Sequence, residues 1–348
     1  MSILIAIDQG TTSTRTVAFD KDLNIIHSEQ KEYSLIYPND GWVEIAPEEL
    51  MSSVYETIDP VIEACSDISA IGITNQRETT LVWDADSGEP IYNAIVWQDR
   101  RTAEQCMQLK KAGHEEAIKN ATGLLLDPYF SSTKISWILD NVDGARKRAE
   151  AGKLRFGTVD TYLLWQLTHG EIYKTDVTNA SRTNLYNIHH KEWDSELLKI
   201  FNIPRSMLPE VQSSDSNYGT LVRGNKTIQI SGVIGDQQSA LVGQRCFQSG
   251  QMKATFGTGC FLMVNTGDES LLSTSGLLNT LGYGLSGKVS YALEGSIFSA
   301  GTISQWLRDN REFFRDSAAS INLLDIRGEY NGVLFVTGCT GIGDHQWH

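Results

Sequence analysis

Residues 3–20 read Ile-Leu-Ile-Ala-Ile-Asp-Gln-Gly-Thr-Thr-Ser-Thr-Arg-Thr-Val-Ala-Phe-Asp. An apolar run, residues 3–7, ends in Asp8. A Gly-Thr-Thr-Ser turn occupies residues 10–13, and a second apolar stretch, residues 16–19, leaves it. Two β-type runs around such a turn read as a hairpin. The turn gathers backbone N–H groups with the hydroxyls of Thr11, Thr12 and Ser13, a set suited to a phosphate. Asp8, at the strand end, suits a hydrated Mg²⁺, an ion that takes few carboxylates and keeps its water. A plain surface hairpin has the same local pattern, so the rest of the chain decides between the two.

At 348 residues the chain is long for one core, which predicts two domains. The formal net charge of −14 is spread along the sequence. It argues against a nucleic-acid surface while leaving room for a local pocket that takes an anionic substrate. The five cysteines are widely spaced, and no pair has metal-ligand spacing. They read as reduced thiols of a cytoplasmic protein. The start has no leader-like pattern, and nothing approaches a run of about 18 apolar residues, so neither export nor membrane insertion is expected.

Working outward, residues 24–37 predict further strand, and Pro38-Asn39-Asp40-Gly41 a turn. Pro47-Glu48-Glu49 opens a helix expected to reach about Cys65, with its acidic residues placed to complement the helix dipole. Short strands are expected at residues 70–74 and 80–83, and helices at 101–111, 132–142 and 158–167. In the second of these helices Ile135, Ile138, Leu139 and Val142 share one face. This alternation predicts an α/β fold. Residues 252–265 repeat the opening pattern, strand, Phe-Gly-Thr-Gly-Cys, strand, as an internal duplication would. The domain boundary is expected near Gly243, giving domains of residues 1–243 and 244–348.

Four polar segments exceed what strand ends need. Asn75-Gln76-Arg77-Glu78-Thr79 sets opposite charges side by side between two strands. Consecutive strand residues face opposite ways, so the backbone must turn there if Arg77 and Glu78 are to share a ligand. Trp97-Gln98-Asp99-Arg100-Arg101 sets a ring beside charges, Asp127-Pro128-Tyr129-Phe130 fixes a tyrosine after a rigid residue, and Gly235-Asp236-Gln237-Gln238 follows an apolar strand. Each taken alone also fits a solvated turn, a surface ion pair or, for Asp236, a strand-end cap.

Together, and in this order, the segments at residues 8–13, 72–79, 93–102, 127–131, 178–183, 235–238, 291–295 and 305–309 resemble the glycerol kinase family. That family lies within the carbohydrate kinases that share the actin/hexokinase-like (ribonuclease H-like) ATPase fold. The resemblance covers almost the whole chain, to about Thr340. It implies a two-domain architecture of mixed β-sheets flanked by helices, with ATP and Mg²⁺ as cofactors and glycerol as substrate. It implies that Arg77, Glu78, Tyr129 and Asp236 hydrogen-bond the glycerol hydroxyls with help from Gln237, and that Trp97 and Phe261 pack against its carbons. Asp236 is the implied general base, and Asp8 with Asp236 the implied Mg²⁺ partners. Thr11, Thr12, Ser13 and Arg15 are implied at the ATP phosphates, with Thr258, Gly301 and Gln305 serving the nucleotide from the second domain. For a full-length protein it implies a homo-oligomer.

Residues 344–348 depart from the family pattern, and the expectation is a shortened chain with an incomplete second domain. Two rival functions follow: a kinase for another polyol or sugar, and a non-catalytic glycerol- or nucleotide-binding fragment.

Overall fold

The computed structural model describes residues 2–257, 259–274 and 276–297. The opening stretch forms strands β1 (Ile3–Gln9) and β2 (Ser13–Phe19), which pair antiparallel with Gln9 opposite Thr14. Ile3, Ile5 and Ile7 are buried on one side of β1, while the residues between them are partly or wholly exposed. That is the period-two signature of a strand with one covered face. β3 (Ile25–Glu32) joins the outer edge of β2. It ends short of the expected strand because the chain then turns back at Pro38–Gly41, where Gly41 adopts φ +72° and Ile36 bridges Glu44.

Helix α1 (Pro47–Ala64) starts with proline in its first turn, where the missing N–H costs nothing, and carries Glu48 and Glu49 at the positive end of the dipole. Its buried Leu50, Val54, Ile58 and Val61 join the isoleucines of β1 in one core. A polar seam tightens this contact: Thr14 and Thr16 of β2 hydrogen-bond Ser53 and Thr57 of α1.

β4 (Ile68–Asn75) lies parallel to β1 on its other side. Helices α2 (Ser131–Asn141), α3 (Val159–Leu167) and the short α4 (Val177–Ala180) follow. β5 (Thr220–Arg223) and β6 (Lys226–Gly235) then form a hairpin, and β6 docks parallel to β4. The first sheet therefore runs β5-β6-β4-β1-β2-β3. Three parallel neighbours, β6, β4 and β1, all end on the same side, where ligands of α/β sheets gather.

Helix α5 (Asp236–Gly243) begins directly at the end of β6. Beyond it, β7 (Met252–Phe256), β8 (Cys260–Gly267), β9 (Leu278–Leu285) and β10 (Lys288–Ile297) form an antiparallel sheet in the order β7-β8-β10-β9. The second strand–turn–strand unit read in the sequence is thus a hairpin, with Phe256 opposite Cys260. This sheet is fastened to the earlier part of the chain. Leu281 and Tyr291 enter the core that holds Phe156, Tyr186 and Phe201. The Asn279 N–H donates to the Gly123 carbonyl at 2.9 Å. Gly123 has φ +73°, and a Cβ there would lie 2.3 Å from the Asn279 carbonyl oxygen, so only glycine admits this approach. The four described cysteines are free, and no helix among the described residues is long and apolar enough to cross a membrane.

Candidate active site

Where β4 ends, the chain makes the turn that a shared Arg77–Glu78 ligand requires. Glu78 takes the left-handed conformation, φ +62°, and the Thr79 N–H donates back to the Arg77 carbonyl at 2.7 Å. A non-glycine residue held this way costs on the order of 1–3 kcal/mol and needs support. Support comes from the Thr80 and Ser131 hydroxyls, each donating to the Glu78 carbonyl at 3.0 Å. Both side chains thereby become buried beside one hollow.

Tyr129 is set by its own loop. Its N–H donates to Asp127 at 2.8 Å, and Asp127 also accepts from Arg100 at 2.9 Å. Beneath the loop, the buried Lys134 ammonium of α2 donates to the carbonyls of Pro128, Tyr129 and Phe130. Burial pulls its pKa down to about 8. The charges after Trp97 are structural. Asp99 accepts from the Val43 N–H and binds Arg101, whose guanidinium lies 3.9 Å from the Trp42 ring centroid and 4.6 Å from that of Trp137. Trp97 itself meets Tyr129 and Phe261 edge to face, at 5.7 Å and 6.3 Å between ring centroids.

Asp236 opens α5. Its Oδ1 accepts from the Gln237 N–H at 2.7 Å and lies 3.2 Å from Arg77 Nε. Its side chain keeps 35% exposure, against 2% for Arg77. The glycine before it has a steric reason: a Cβ at Gly235 would stand 2.9 Å from Cγ and Cδ of Arg77.

These side chains surround one cavity of about 170 Å³, lined by Thr11, Gln76, Arg77, Glu78, Trp97, Tyr129, Asp236, Gln237, Thr255, Gly257, Gly259 and Phe261. All seven residues singled out for the substrate thus converge on it. The hairpin of β1 and β2 reaches the same place, because Trp97 Nε1 donates to Thr11 Oγ1 at 2.9 Å. Thr11 is the member of that turn which lines the hollow. Thr12 and Arg15 are exposed and Ser13 is half-buried alongside. Arg15 stands opposite Asp8 in the strand register. Asp8 is open to solvent, yet partial desolvation and then the Asp236 carboxylate raise its pKa to about 6 against the pull of Arg15. Thr258, Gly301 and Gln305 lie outside the described residues. Among those described, no group of three or more His, Cys, Asp or Glu side chains is placed to hold a metal.

Behind the cavity wall are residues to which the sequence alone assigns no role. Glu294 of β10 is fully buried and grips Arg77 in a two-pronged bond, 2.6 Å and 3.1 Å, while accepting from Arg182 at 3.0 Å. Burial works against its charge, but Arg182 and Arg77 override it and hold its pKa down at about 2. Glu78 receives its one short arginine bond from Arg182, at 2.6 Å, and there burial wins and raises the pKa. Lys253 is also buried. It donates to Gln237, Thr255 and the Phe261 carbonyl, and burial lowers its pKa to about 8. Buried cations beside a cleft can be sensed in a sequence only when their partners are known.

Residues 3–243 match the N-terminal domain of the FGGY family of carbohydrate kinases, and residues 252–336 match that family's C-terminal domain. The chain belongs to the FGGY family of carbohydrate kinases. It is similar to a glycerol kinase of Alteromonas mediterranea, 56% identical over 99% of this chain and 71% of that one. A glycerol kinase of Fusobacterium nucleatum is 52% identical over 100% of this chain and 71% of the other. Among solved structures, Plasmodium falciparum glycerol kinase with ADP superposes with a TM-score of 0.86 at 39% identity, covering 93% of this chain and 66% of that one. A gluconate kinase from Lactobacillus acidophilus, 23% identical with a TM-score of 0.82 over 92% of this chain and 65% of the other, shares the fold. The chain thus spans about 70% of the length of the curated relatives and about two thirds of these solved chains. Membership in this family makes it a kinase, and its fold the mixed α/β sugar-kinase fold.

Proposed function

We propose that the chain phosphorylates glycerol from ATP to give sn-glycerol 3-phosphate, with glycerol in the cavity between Arg77 and Asp236. The observation that carries this reading is the 3.2 Å approach of Arg77 Nε to Asp236 in a hollow also lined by Glu78, Tyr129, Trp97 and Phe261. At about 170 Å³ the hollow is well below the range typical of larger small-molecule ligands, and it suits a molecule of a few heavy atoms. A flexible triol must give up water from each hydroxyl. Arg77, Glu78 and Tyr129 replace those bonds, and analogues that leave these groups unpaired are rejected. Trp97 and Phe261 cover the carbon side.

Phosphoryl transfer has a loose transition state, so position and charge outweigh covalent help. Asp236 orients the attacking hydroxyl and takes its proton late. Gln237 steadies Asp236, its Nε2 donating at 3.1 Å. Thr11, Thr12, Ser13 and Arg15 receive the polyphosphate across the hairpin turn, and Thr258, Gly301 and Gln305 serve the nucleotide from the second domain. The Asp8 and Asp236 carboxylates are near enough for one to raise the other's pKa. Such a pair suits a largely hydrated Mg²⁺, which Asp8 and Asp236 would hold. When bound there, such an ion would supply positive charge to offset that of the phosphates.

We divide the domains near Gly243. The end of α5 there and the two separate family matches support this division. A cytoplasmic setting is in keeping with the free cysteines, and light scattering of the purified protein tests for the homo-oligomer.

The deciding experiment measures ADP release with glycerol, xylulose, gluconate and erythritol, alongside calorimetric titration with glycerol and with ATP. Turnover with glycerol far above the others is expected. Turnover on a sugar alone overturns the substrate, and glycerol binding without turnover overturns the catalytic reading.

A further inference from the structure

We infer that Arg182 and Glu294 are positioning residues for the polyol, acting through Arg77 and Glu78 without touching the ligand. The inference rests on the glycerol-site reading and adds residues to it from behind the wall. Neither side chain lines the cavity. Both are fully buried, and together they close a chain of alternating charges: Glu78, Arg182, Glu294, Arg77, Asp236. The first four balance to zero charge inside the protein. Asp236 is the remaining anion, and it is the member that keeps solvent exposure.

The geometry gives each a distinct task. Glu294 spans Arg77 with both oxygens and so fixes the plane of that guanidinium. Ser296 Oγ donates to Glu294 Oε1 at 3.1 Å and steadies the carboxylate in turn. Arg182 fixes Glu78 through Nε and lies 5.7 Å from the Tyr129 ring centroid, so it backs two of the polyol-facing groups at once. Its backbone is tied to α4, the Arg182 N–H donating to the Asn179 carbonyl at 3.0 Å. Asp176 caps that helix by accepting from the Asn179 N–H at 2.8 Å, and Asn179 exchanges paired amide bonds with Asn75 at the end of β4. Arg182 Nη1 has no hydrogen-bond partner among the described residues. The guanidinium is therefore committed to aligning the two carboxylates at the cost of one buried donor.

Neutralising Glu294 leaves two buried guanidiniums sharing one inner carboxylate. Arg77 then keeps Gln238, at 3.2 Å, and Asp236, at 3.2 Å, as its near partners, and loses the forked bond that fixes its plane. Outer-shell groups that orient metal ligands cost about 10–100-fold when removed, and the same scale is taken for a group that orients a polyol-contacting guanidinium.

The experiment is calorimetric titration of glycerol into the parent chain, Glu294→Gln and Arg182→Met, each below its own melting temperature, with KM for glycerol and for ATP measured in parallel. The glycerol Kd is expected to rise about tenfold or more in both variants, while the KM for ATP stays close to the parent value. Should Glu294→Gln give no cooperative melt, Arg182→Lys, which keeps the charge and loses the forked reach, takes its place with the same expectation. Folded variants with an unchanged glycerol Kd and only a lowered melting temperature overturn the inference. A parent chain that binds no glycerol overturns the site reading itself, which is a separate outcome.

Discussion

Asp236→Asn tests the proposed chemistry with little change of shape. In the parent, Oδ1 accepts from the Gln237 N–H at 2.7 Å and faces Arg77 Nε at 3.2 Å, while Oδ2 accepts from Gln237 Nε2 at 3.1 Å. An amide oxygen still accepts from the Gln237 N–H but no longer carries the charge that pairs with Arg77. At Oδ2 the amide places a donor against a donor, which costs about 1 kcal/mol. The lost pair with Arg77 adds up to about 1 kcal/mol; since a tenfold change in affinity is about 1.4 kcal/mol, glycerol binding should weaken by no more than about thirtyfold. The amide cannot take the substrate's proton. Loss of a positioned base lowers rates by about 10²–10⁴, or roughly 2.7–5.4 kcal/mol of barrier at about 1.36 kcal/mol per decade. The assay pairs kcat from ADP release with glycerol Kd from calorimetry. A kcat within about threefold of the parent, at saturating glycerol, removes Asp236 from the chemical step. Weak binding with an intact kcat reassigns it to holding the ground state.

Gly235→Ala should weaken glycerol binding and lower stability by about 1–3 kcal/mol, because its Cβ would meet an Arg77 side chain that Glu294 prevents from yielding. An unaltered glycerol Kd and melting temperature rule this out. Asp8 titrates near pH 6, so the Mg²⁺ concentration for half-maximal turnover should climb as pH falls below about 6. Asp8→Asn should abolish that inflection, and the same inflection in the variant assigns it elsewhere. Asp160, buried near Asp176, has its pKa raised by burial from 3.8 to about 7. The folded state therefore holds this proton more tightly than the unfolded chain does. The resulting stabilisation is complete below pH 3.8 and is lost as pH rises towards 7. Asp160→Asn should flatten the fall of melting temperature across that window, and parallel curves for parent and variant exclude Asp160 as the source.

Much of the fold could be read in advance because its signals are local. The alternation of Ile3, Ile5 and Ile7, the proline and glutamates that open α1, and the glycine-hydroxyl turn each specify their element without help from distant residues. The turn at Glu78 was also legible, since two adjacent charges on a regular strand cannot share one ligand. What escaped is tertiary. Glu294 is separated from Arg77 by 217 positions, and Arg182 from Glu78 by 104. Nothing local marks either as buried. Lys134 sits beside Ile135 on a helix whose apolar face is plain in the sequence. Its burial depends on three carbonyls of a preceding loop, which no helical period reveals. β9 and β10 mix threonine, asparagine, serine and glutamate with apolar residues. Their core-facing sides emerge only once the earlier part of the chain supplies a surface to dock on.

The bond from the Trp97 indole to Thr11 joins the wall of one substrate's chamber to the loop proposed for the other. If a bound polyphosphate shifts that loop, this bond carries the shift to the ring, and the reverse holds for a polyol pressing on the ring. Thermodynamic closure then makes the exchange even-handed: whatever factor nucleotide contributes to glycerol affinity, glycerol must return to nucleotide.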